Sequence, residues 1–165
     1  MATFKKNGYG QVEPNHLSAQ RTGQIYAQLP AEKTIDVLEN GQFVKYDVQK
    51  GVVDFTGEGE WMMIFNEIKL YDEVWRETYK DFAMKKADYV SEDMVPRVFK
   101  TNVGDIYTTN NIADGDYEVG DKLVPNASGV LAVNNSPAAT DMVWQIGKIY
   151  TLADLEPAVK LQRIQ

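Results

Sequence analysis

The sequence of 165 residues predicts a mainly β fold, with two related small β-barrel or sandwich units, an extended N-terminal arm and a short helical or irregular central insert. Short runs of β-branched and aromatic residues, separated by glycine-containing turns, fill most of the chain, as is typical of strands. Hydrophobic residues make up 44% of the chain, enough to fill a core. A repeated phrase, glycine, one polar residue and then an apolar pair, opens several runs. It occurs at 23–26, 104–107 and 147–150, and in looser form at 41–44 and 120–124.

Residues 1–22 are predicted to form the extended arm, because they contain breaker pairs such as Asn7-Gly8 and show no apolar periodicity. This segment holds three basic residues and one acidic residue, whereas the other 143 residues hold 14 basic and 23 acidic ones. A basic arm on an acidic body suits docking on an acidic partner; a partly disordered terminus is the alternative. The arm residues expected to contact a partner are Phe4, Lys5, Lys6 and Tyr9.

The first β unit is predicted over residues 23–70, with turns that follow one another closely enough for a meander. Asn40-Gly41 lies between apolar runs and is a strong hairpin signal, so the runs on either side of it should pair. The run 61–65 is continuous and apolar, as expected for a strand that is buried on both faces. The predicted strands are 25–29, 34–38, 42–48, 52–55 and 61–65.

The segment 71–98 interrupts the β pattern. Its aromatic residues recur at helical spacing, which favours an amphipathic helix over about 70–84; an extended, aromatic-rich excursion is the alternative. Aromatic residues and methionine are enriched in interface cores. The residues of this segment expected to contact a partner are therefore Trp75, Tyr79, Phe82, Met84 and Tyr89.

The second β unit is predicted over residues 99–165, and its glycine turns are spaced much like those of the first unit. Glycines that open strands recur at similar intervals in both units, and a tryptophan-led strand closes each set, at Trp61 and at Trp144. We interpret this as a degenerate duplication of one small β unit; the alternative is that any β chain interrupted by glycines shows such similarities.

Composition excludes several classes of function. The chain has no cysteine, so disulfides, thiolate metal sites and a cysteine nucleophile are impossible. It has no apolar run suited to a signal peptide or a membrane span, so we expect a soluble protein made in a cytoplasm. The acidic body argues against nucleic-acid binding.

Few residues could support catalysis or ligand binding. The only histidine, His16, lies in the polar arm without evident catalytic or metal-binding partners. The acidic stretch 114–121 could offer oxygens to Ca²⁺, although its spacing differs from the twelve-residue calcium loop. Carboxylates for glycoside hydrolysis could come from Glu58, Glu60 and Glu67, which are more simply solvated turn residues. Four aromatic residues could form a carbohydrate-stacking platform or belong to the core: Tyr107, Tyr117, Trp144 and Tyr150. No catalytic residue, metal or cofactor is therefore predicted.

Two segments of the second unit carry a resemblance to a known class of proteins. The stretch Gly120-Asp121-Lys122-Leu123-Val124-Pro125-Asn126-Ala127-Ser128-Gly129-Val130-Leu131 resembles a strand–turn–strand of tailed-bacteriophage virion structural proteins, most of all capsid decoration (cement) and minor head proteins. The terminal residues 157–164 are similar to an apolar–basic alternating strand that ends several of them. The resemblance covers mostly residues 99–165.

The resemblance implies a non-enzymatic virion structural protein that is made in the bacterial cytoplasm and binds the outside of a phage capsid. Such a protein stabilises the shell by bridging subunits of the major capsid protein through its arm and loops, and is expected to form a homo-oligomer. No nucleic-acid, membrane or small-molecule partner is expected. The alternative is a carbohydrate- or receptor-binding β module of a head fibre or tail accessory protein.

Overall fold

The protein consists of β-strands and connecting turns throughout the part that the computed structural model describes, which comprises residues 4–5, 10–17, 29–66, 83–85 (backbone only), 94–153 and 155–165. The predicted mainly β class is confirmed. The strands are β1 Val12–His16, β2 Val37–Glu39, β3 Phe43–Asp47, β4 Val52–Asp54, β5 Glu58–Ile64, β6 Ala83–Lys85, β7 Val98–Phe99, β8 Ile106–Thr109, β9 Lys122–Pro125, β10 Leu131–Val133, β11 Trp144–Thr151 and β12 Pro157–Arg163.

These strands form three antiparallel sheets. The six-stranded sheet has the order β1-β8-β12-β11-β9-β10, and the four-stranded sheet has the order β4-β3-β5-β7. β2 and β6 form a separate two-stranded ribbon. Strand β1 of the predicted arm therefore belongs to the six-stranded sheet, and β7, at the predicted boundary of the second unit, belongs to the four-stranded sheet.

The two large sheets pack face to face. Phe43, Met63 and Phe99 of the four-stranded sheet share one buried cluster with side chains of the six-stranded sheet such as Trp144, and the rings of Phe43 and Trp144 lie 5.9 Å apart between centroids. The opposite face of the four-stranded sheet forms a second cluster. Neighbouring residues of β5 divide between the clusters, since Met63 belongs to the first and Met62 to the second. The expectation that this strand is buried on both faces is confirmed.

The four-stranded sheet and four strands of the six-stranded sheet have the same strand order and the same register. The order β4-β3-β5-β7 is repeated by β10-β9-β11-β12. In both, a hairpin forms first and the third strand then pairs with the free edge of its first strand. The matching pairs are Val44–Met62 with Leu123–Trp144, Ile64–Val98 with Ile146–Leu161, Tyr46–Val53 with Pro125–Leu131, and the parallel bridges Ala31–Val53 with Ile112–Leu131.

The glycine phrase forms a turn that leads into β3 and again into β9. In the first turn the amide of Gln42 donates to the carbonyl of Glu39 (3.2 Å), and the amide of Glu39 donates to Oε1 of Gln42 (3.0 Å). Turn 118–121 contains the same two bonds, at 3.2 and 2.9 Å. Gly41 and Gly120 occupy the third position with φ of 83° and 102°, a conformation that glycine adopts at little cost.

The hairpin and the meander predicted for the first unit are wrong. Asn40-Gly41 does form a turn, but β2 pairs with β6 and β3 pairs with β4 and β5. The amide of Gly41 donates to the carbonyl of Ile64, and the amide of Ile64 donates to the carbonyl of Gln42, both at 2.9 Å. β5 therefore takes the place beside β3 that a hairpin partner would occupy, and the strand order is not sequential.

The central insert is described only where it forms β6. Residues 83–85 are extended because they pair with β2, so a helix does not continue through them as the spacing of 70–84 suggested. The other residues of 67–93, and predicted strand 25–29 apart from Leu29, lie outside the described residues.

Candidate interaction surfaces

Phe4 and Lys5, expected to contact a partner, make contacts within the protein itself. Phe4 is 7% exposed and packs edge-on against Tyr117, with ring centroids 5.3 Å apart. Nζ of Lys5 lies 2.8 Å from Oε2 of Glu39. The other two predicted arm contacts, Lys6 and Tyr9, lie outside the described residues.

Side-chain hydrogen bonds hold strand β1 at the edge of the six-stranded sheet. The hydroxyl of Thr109 donates to the carbonyl of Gln11 (2.6 Å), and the hydroxyl of Thr108 donates to Oδ1 of Asn15 (2.7 Å). Leu17, just after the strand, is 2% exposed and belongs to the core between the two large sheets. The described part of the N-terminal segment is thus integrated into the fold.

The contacts predicted for the central insert are largely beyond the described part of the chain. Trp75, Tyr79, Phe82 and Tyr89 all lie there. Met84 lies in β6, where its Cα is opposite that of Leu38. The structure thus places one of these five residues, by its backbone alone.

The aromatic residues considered for a carbohydrate platform do not form one. Tyr107 and Trp144 are fully buried and pack in a T shape, with centroids 4.8 Å apart. Tyr117 is partly buried against Phe4, and Nζ of Lys148 lies 5.7 Å from the ring centroid of Tyr150. Burial raises the pKa of Tyr107 well above its ordinary value. Burial, followed by the charges of nearby aspartates, raises the pKa of Tyr117 to about 12.

The acidic groups of the described residues form no cluster suited to a metal ion. No group of three or more histidine, aspartate or glutamate side chains there is placed to hold a metal ion, and this includes loop 114–121. Asp121 instead accepts bonds from the amide of Glu118 (2.9 Å) and from Nδ2 of Asn135 (3.2 Å). Glu58 is exposed, and Glu60 lies 3.8 Å from Nζ of Lys100. Glu67 lies outside the described residues, and His16 is exposed on β1.

One face of the six-stranded sheet points away from the four-stranded sheet and carries mainly polar side chains, and we call it the outer face. Its side chains alternate with the core residues of the same strands. Pairing between strands aligns them in two rows. The first row is Glu13, Thr108, Lys160 and Lys148; the second is Ile106, Gln162, Gln145 and Lys122. Thr108 is buried, whereas Lys148 is exposed and Lys122 and Lys160 are partly exposed.

Sequence reasoning missed the outer face. Alternation within 157–163 did indicate that Val159 and Leu161 face one way and that Lys160 and Gln162 face the other. What it could not supply was the register that places Lys148 directly opposite Lys160, and Lys122 in the next row.

Comparisons with protein-family models, with curated proteins and with solved structures find no match to this chain. Within the described residues, no helix is long and apolar enough to span a bilayer.

Proposed function

We propose that the chain is a non-enzymatic virion structural protein of a tailed bacteriophage, which binds the outside of the capsid and stabilises it by bridging subunits of the major capsid protein. We further propose that its two four-stranded units, β4-β3-β5-β7 and β10-β9-β11-β12, are copies of one ancestral unit. In this proposal the protein is made in the bacterial cytoplasm, forms a homo-oligomer and ends on the capsid surface.

The observation that carries the proposal is the way the two large sheets share their apolar faces. The face of the four-stranded sheet that bears Phe43, Met63 and Phe99 covers the apolar face of the six-stranded sheet, which leaves the broad outer face polar. A rigid scaffold that presents a sheet face is suited to covering a large surface.

The shared register supports descent of both units from one ancestor. A strand order in which the third strand returns to the free edge of the first is more specific than a simple meander, and it occurs twice with matching residue pairs. Matching glycine turns at 39–42 and 118–121 lead into the first strand of each unit. Such agreement of local turn and long-range pairing is expected of repeated units.

The segment that carries the resemblance to decoration proteins folds as a hairpin, which supports the proposal. Residues 120–131 contain β9, a turn and the start of β10. The turn is tied by Asn126, whose Oδ1 accepts from the amides of Ser128 (2.9 Å) and Val130 (3.1 Å). The turn also contacts the other unit, because the amide of Phe43 donates to the carbonyl of Gly129 (2.8 Å).

The test is reconstitution on shells of the phage whose genome encodes the chain, prepared without this protein. Added protein should sediment with expanded shells, reach saturation at a fixed number of copies per shell, and raise the melting temperature of the shell. Lys50→Glu, which alters an exposed lysine paired with Asp47 at 3.0 Å, should bind like wild type. Absence of the protein from the shell fraction at every concentration would contradict the proposal.

A further inference from the structure

We propose that the outer face of the six-stranded sheet is a docking surface for an acidic protein surface, with Lys122, Lys148 and Lys160 as the groups that meet its carboxylates. The inference deepens the proposed function, on which it rests for the identity of the partner. It assigns the contact to a face of the fold rather than to the arm or the central insert.

Matching the positions of the two units shows that the outer face is polar where the first unit is apolar. Lys122, Gln145 and Gln162 occupy the positions that Phe43, Met63 and Phe99 occupy in the four-stranded sheet. The latter three are buried against the six-stranded sheet. The same backbone position thus serves an apolar internal contact in one unit and a polar surface in the other.

Within the part of the chain that the structure describes, the lysines of the outer face have no partner of opposite charge. Lys148 lies directly opposite Lys160 on the neighbouring strand, and like charges in this arrangement repel one another. Among the described residues no carboxylate forms an ion pair with Lys122, Lys148 or Lys160. Glu13 shares their face but lies beyond Thr108 in the same row.

This arrangement stands out because the chain as a whole carries a net charge of −7 and 24 acidic residues. Acidic side chains are available in abundance, yet carboxylates are absent from the cross-strand positions that would neutralise Lys148 and Lys160. A basic patch on an acidic protein attracts and orients an acidic surface, while the remainder of the molecule repels it. The repulsion between the two lysines lowers local stability, and such a cost is common at binding sites.

An acidic protein surface suits this face better than a nucleic acid does. Nucleic-acid binding draws on many phosphate contacts and on aromatic side chains that stack with bases. The outer face has three lysines, and its aromatic ring at Tyr150 lies beneath Nζ of Lys148. Gln145 and Gln162 add amide groups that can both donate and accept hydrogen bonds, as the mixed polar groups of a protein surface require.

The test measures binding of fluorescent poly-L-glutamate, and in parallel of single-stranded DNA and heparin, at about 50 and 300 mM salt, ionic strengths that differ in screening length. Wild type should bind poly-L-glutamate more tightly than DNA or heparin, and binding should weaken with salt. The triple variant Lys122→Glu, Lys148→Glu, Lys160→Glu should lose affinity by about tenfold or more, which corresponds to loss of several weak ion pairs. A matched control, Lys33→Glu with Lys50→Glu, changes lysines outside this face and should bind poly-L-glutamate as wild type does.

Binding to the shells separates this inference from the proposed function. If the protein binds poly-L-glutamate through the three lysines but never binds shells, the docking face stands and the function fails. If it binds shells equally well after the triple charge reversal, the docking face is overturned and the function stands. Tighter binding of DNA or heparin than of poly-L-glutamate also overturns the inference, because the partner would then be a polyanion of another class.

A second variant guards against misfolding as an explanation. Lys148→Gln with Lys160→Gln removes the repulsion and should leave the midpoint of urea unfolding equal to or above that of wild type, while binding of poly-L-glutamate falls. A lower midpoint together with unchanged binding would mean that the lysines have a structural role, and would overturn the inference.

Discussion

The four-stranded sheet is covered on both faces, whereas the six-stranded sheet is covered on one face and keeps its lysines at least partly exposed on the other, although four strands of each share order and register. The difference resides in side chains and not in backbone pairing. Phe43, in the four-stranded sheet, packs against the facing sheet, and the matching residue of the six-stranded sheet is Lys122 on the outer face. Backbone register and face polarity are thus separate properties, and the second decides which sheet faces water.

The polar outer face also explains why stacking ends after two sheets. The two sheets contact each other through faces that do not correspond. The face of the four-stranded sheet that bears Phe43 packs against the face of the six-stranded sheet that bears Leu123, and Leu123 matches Val44 on the other face of the four-stranded sheet. Contacts of this kind can continue without limit when every unit offers both apolar faces. Lys122 and Gln145 stand where a further apolar contact would be needed, and so give the last unit a polar cap.

Exchanging the matched residues Phe43 and Lys122 should give the largest effect. Phe43→Lys removes a fully buried ring and places a charge in the core, so the free energy of unfolding should fall by more than about 4 kcal/mol. Lys122→Phe changes a partly exposed residue and should alter it by less than about 1 kcal/mol. Urea unfolding followed by circular dichroism measures both. Equal losses in the two variants would show that the matched positions do not differ in burial as described.

Gly129 and Gly51 provide a second matched pair with an intermediate effect. Both precede the second strand of their unit with similar φ, 73° and 68°. A Cβ at Gly129 would overlap the carbonyl oxygen of Phe43 and lie 3.0 Å from the ring of Phe55, whereas a Cβ at Gly51 would meet nothing within 4 Å.

Both alanine variants therefore carry the cost of a left-handed residue, about 1–2 kcal/mol, and Gly129→Ala adds the clash. We expect a loss of more than about 3 kcal/mol for Gly129→Ala and about 1 kcal/mol for Gly51→Ala. Thermal and urea unfolding measure the difference. If Gly51→Ala proved the more destabilising, the close contact of turn 126–129 with the four-stranded sheet would be refuted.

Local patterns in the sequence were enough to predict much of the fold. The apolar run of β5 indicated burial on both faces, and the segment 120–131 was expected to form a strand, a turn and a strand, as it does. The partner of each strand was harder to predict. Asn40-Gly41 looks like a hairpin turn because hairpins are local. The pairing is instead decided by the hydrogen bonds that Ile64, more than twenty residues later in the chain, makes with Gly41 and Gln42.

The candidate surface was predicted less well than the fold, for a similar reason. Phe4 is an aromatic residue in a polar segment, a pattern shared by interface anchors and by residues that anchor a terminal strand to its own core, and the structure places it in the core. The opposition of Lys148 and Lys160 depends on the register of a hairpin that contains a bulge between Ile146 and Lys148. A shift of one residue moves a side chain to the other face of a sheet, so alternation alone cannot align the two lysines.

The smallest predicted effect is on the pH dependence of stability, and it comes from tyrosines at the core between the two large sheets. Tyr107 belongs to the core between the large sheets, and Tyr117 packs against this core while partly buried. Burial raises the pKa of both, that of Tyr117 to about 12 from an ordinary value of 10.0. A raised pKa means that folding favours the protonated phenol. Its contribution to stability is therefore complete below pH 10 and is lost as pH rises from about 10 towards 12.

Urea midpoints measured between pH 8 and pH 12 should therefore fall at the alkaline end for wild type and fall less for Tyr117→Phe. That variant also loses the bond from the phenol to the carbonyl of Ala113, so its stability at pH 8 should be slightly lower. The informative quantity is the slope with pH rather than the midpoint itself. Identical slopes for wild type and Tyr117→Phe would mean that Tyr117 ionises as freely in the folded protein as in the unfolded chain, and that the contact between Phe4 and Tyr117 does not shield the phenol from water.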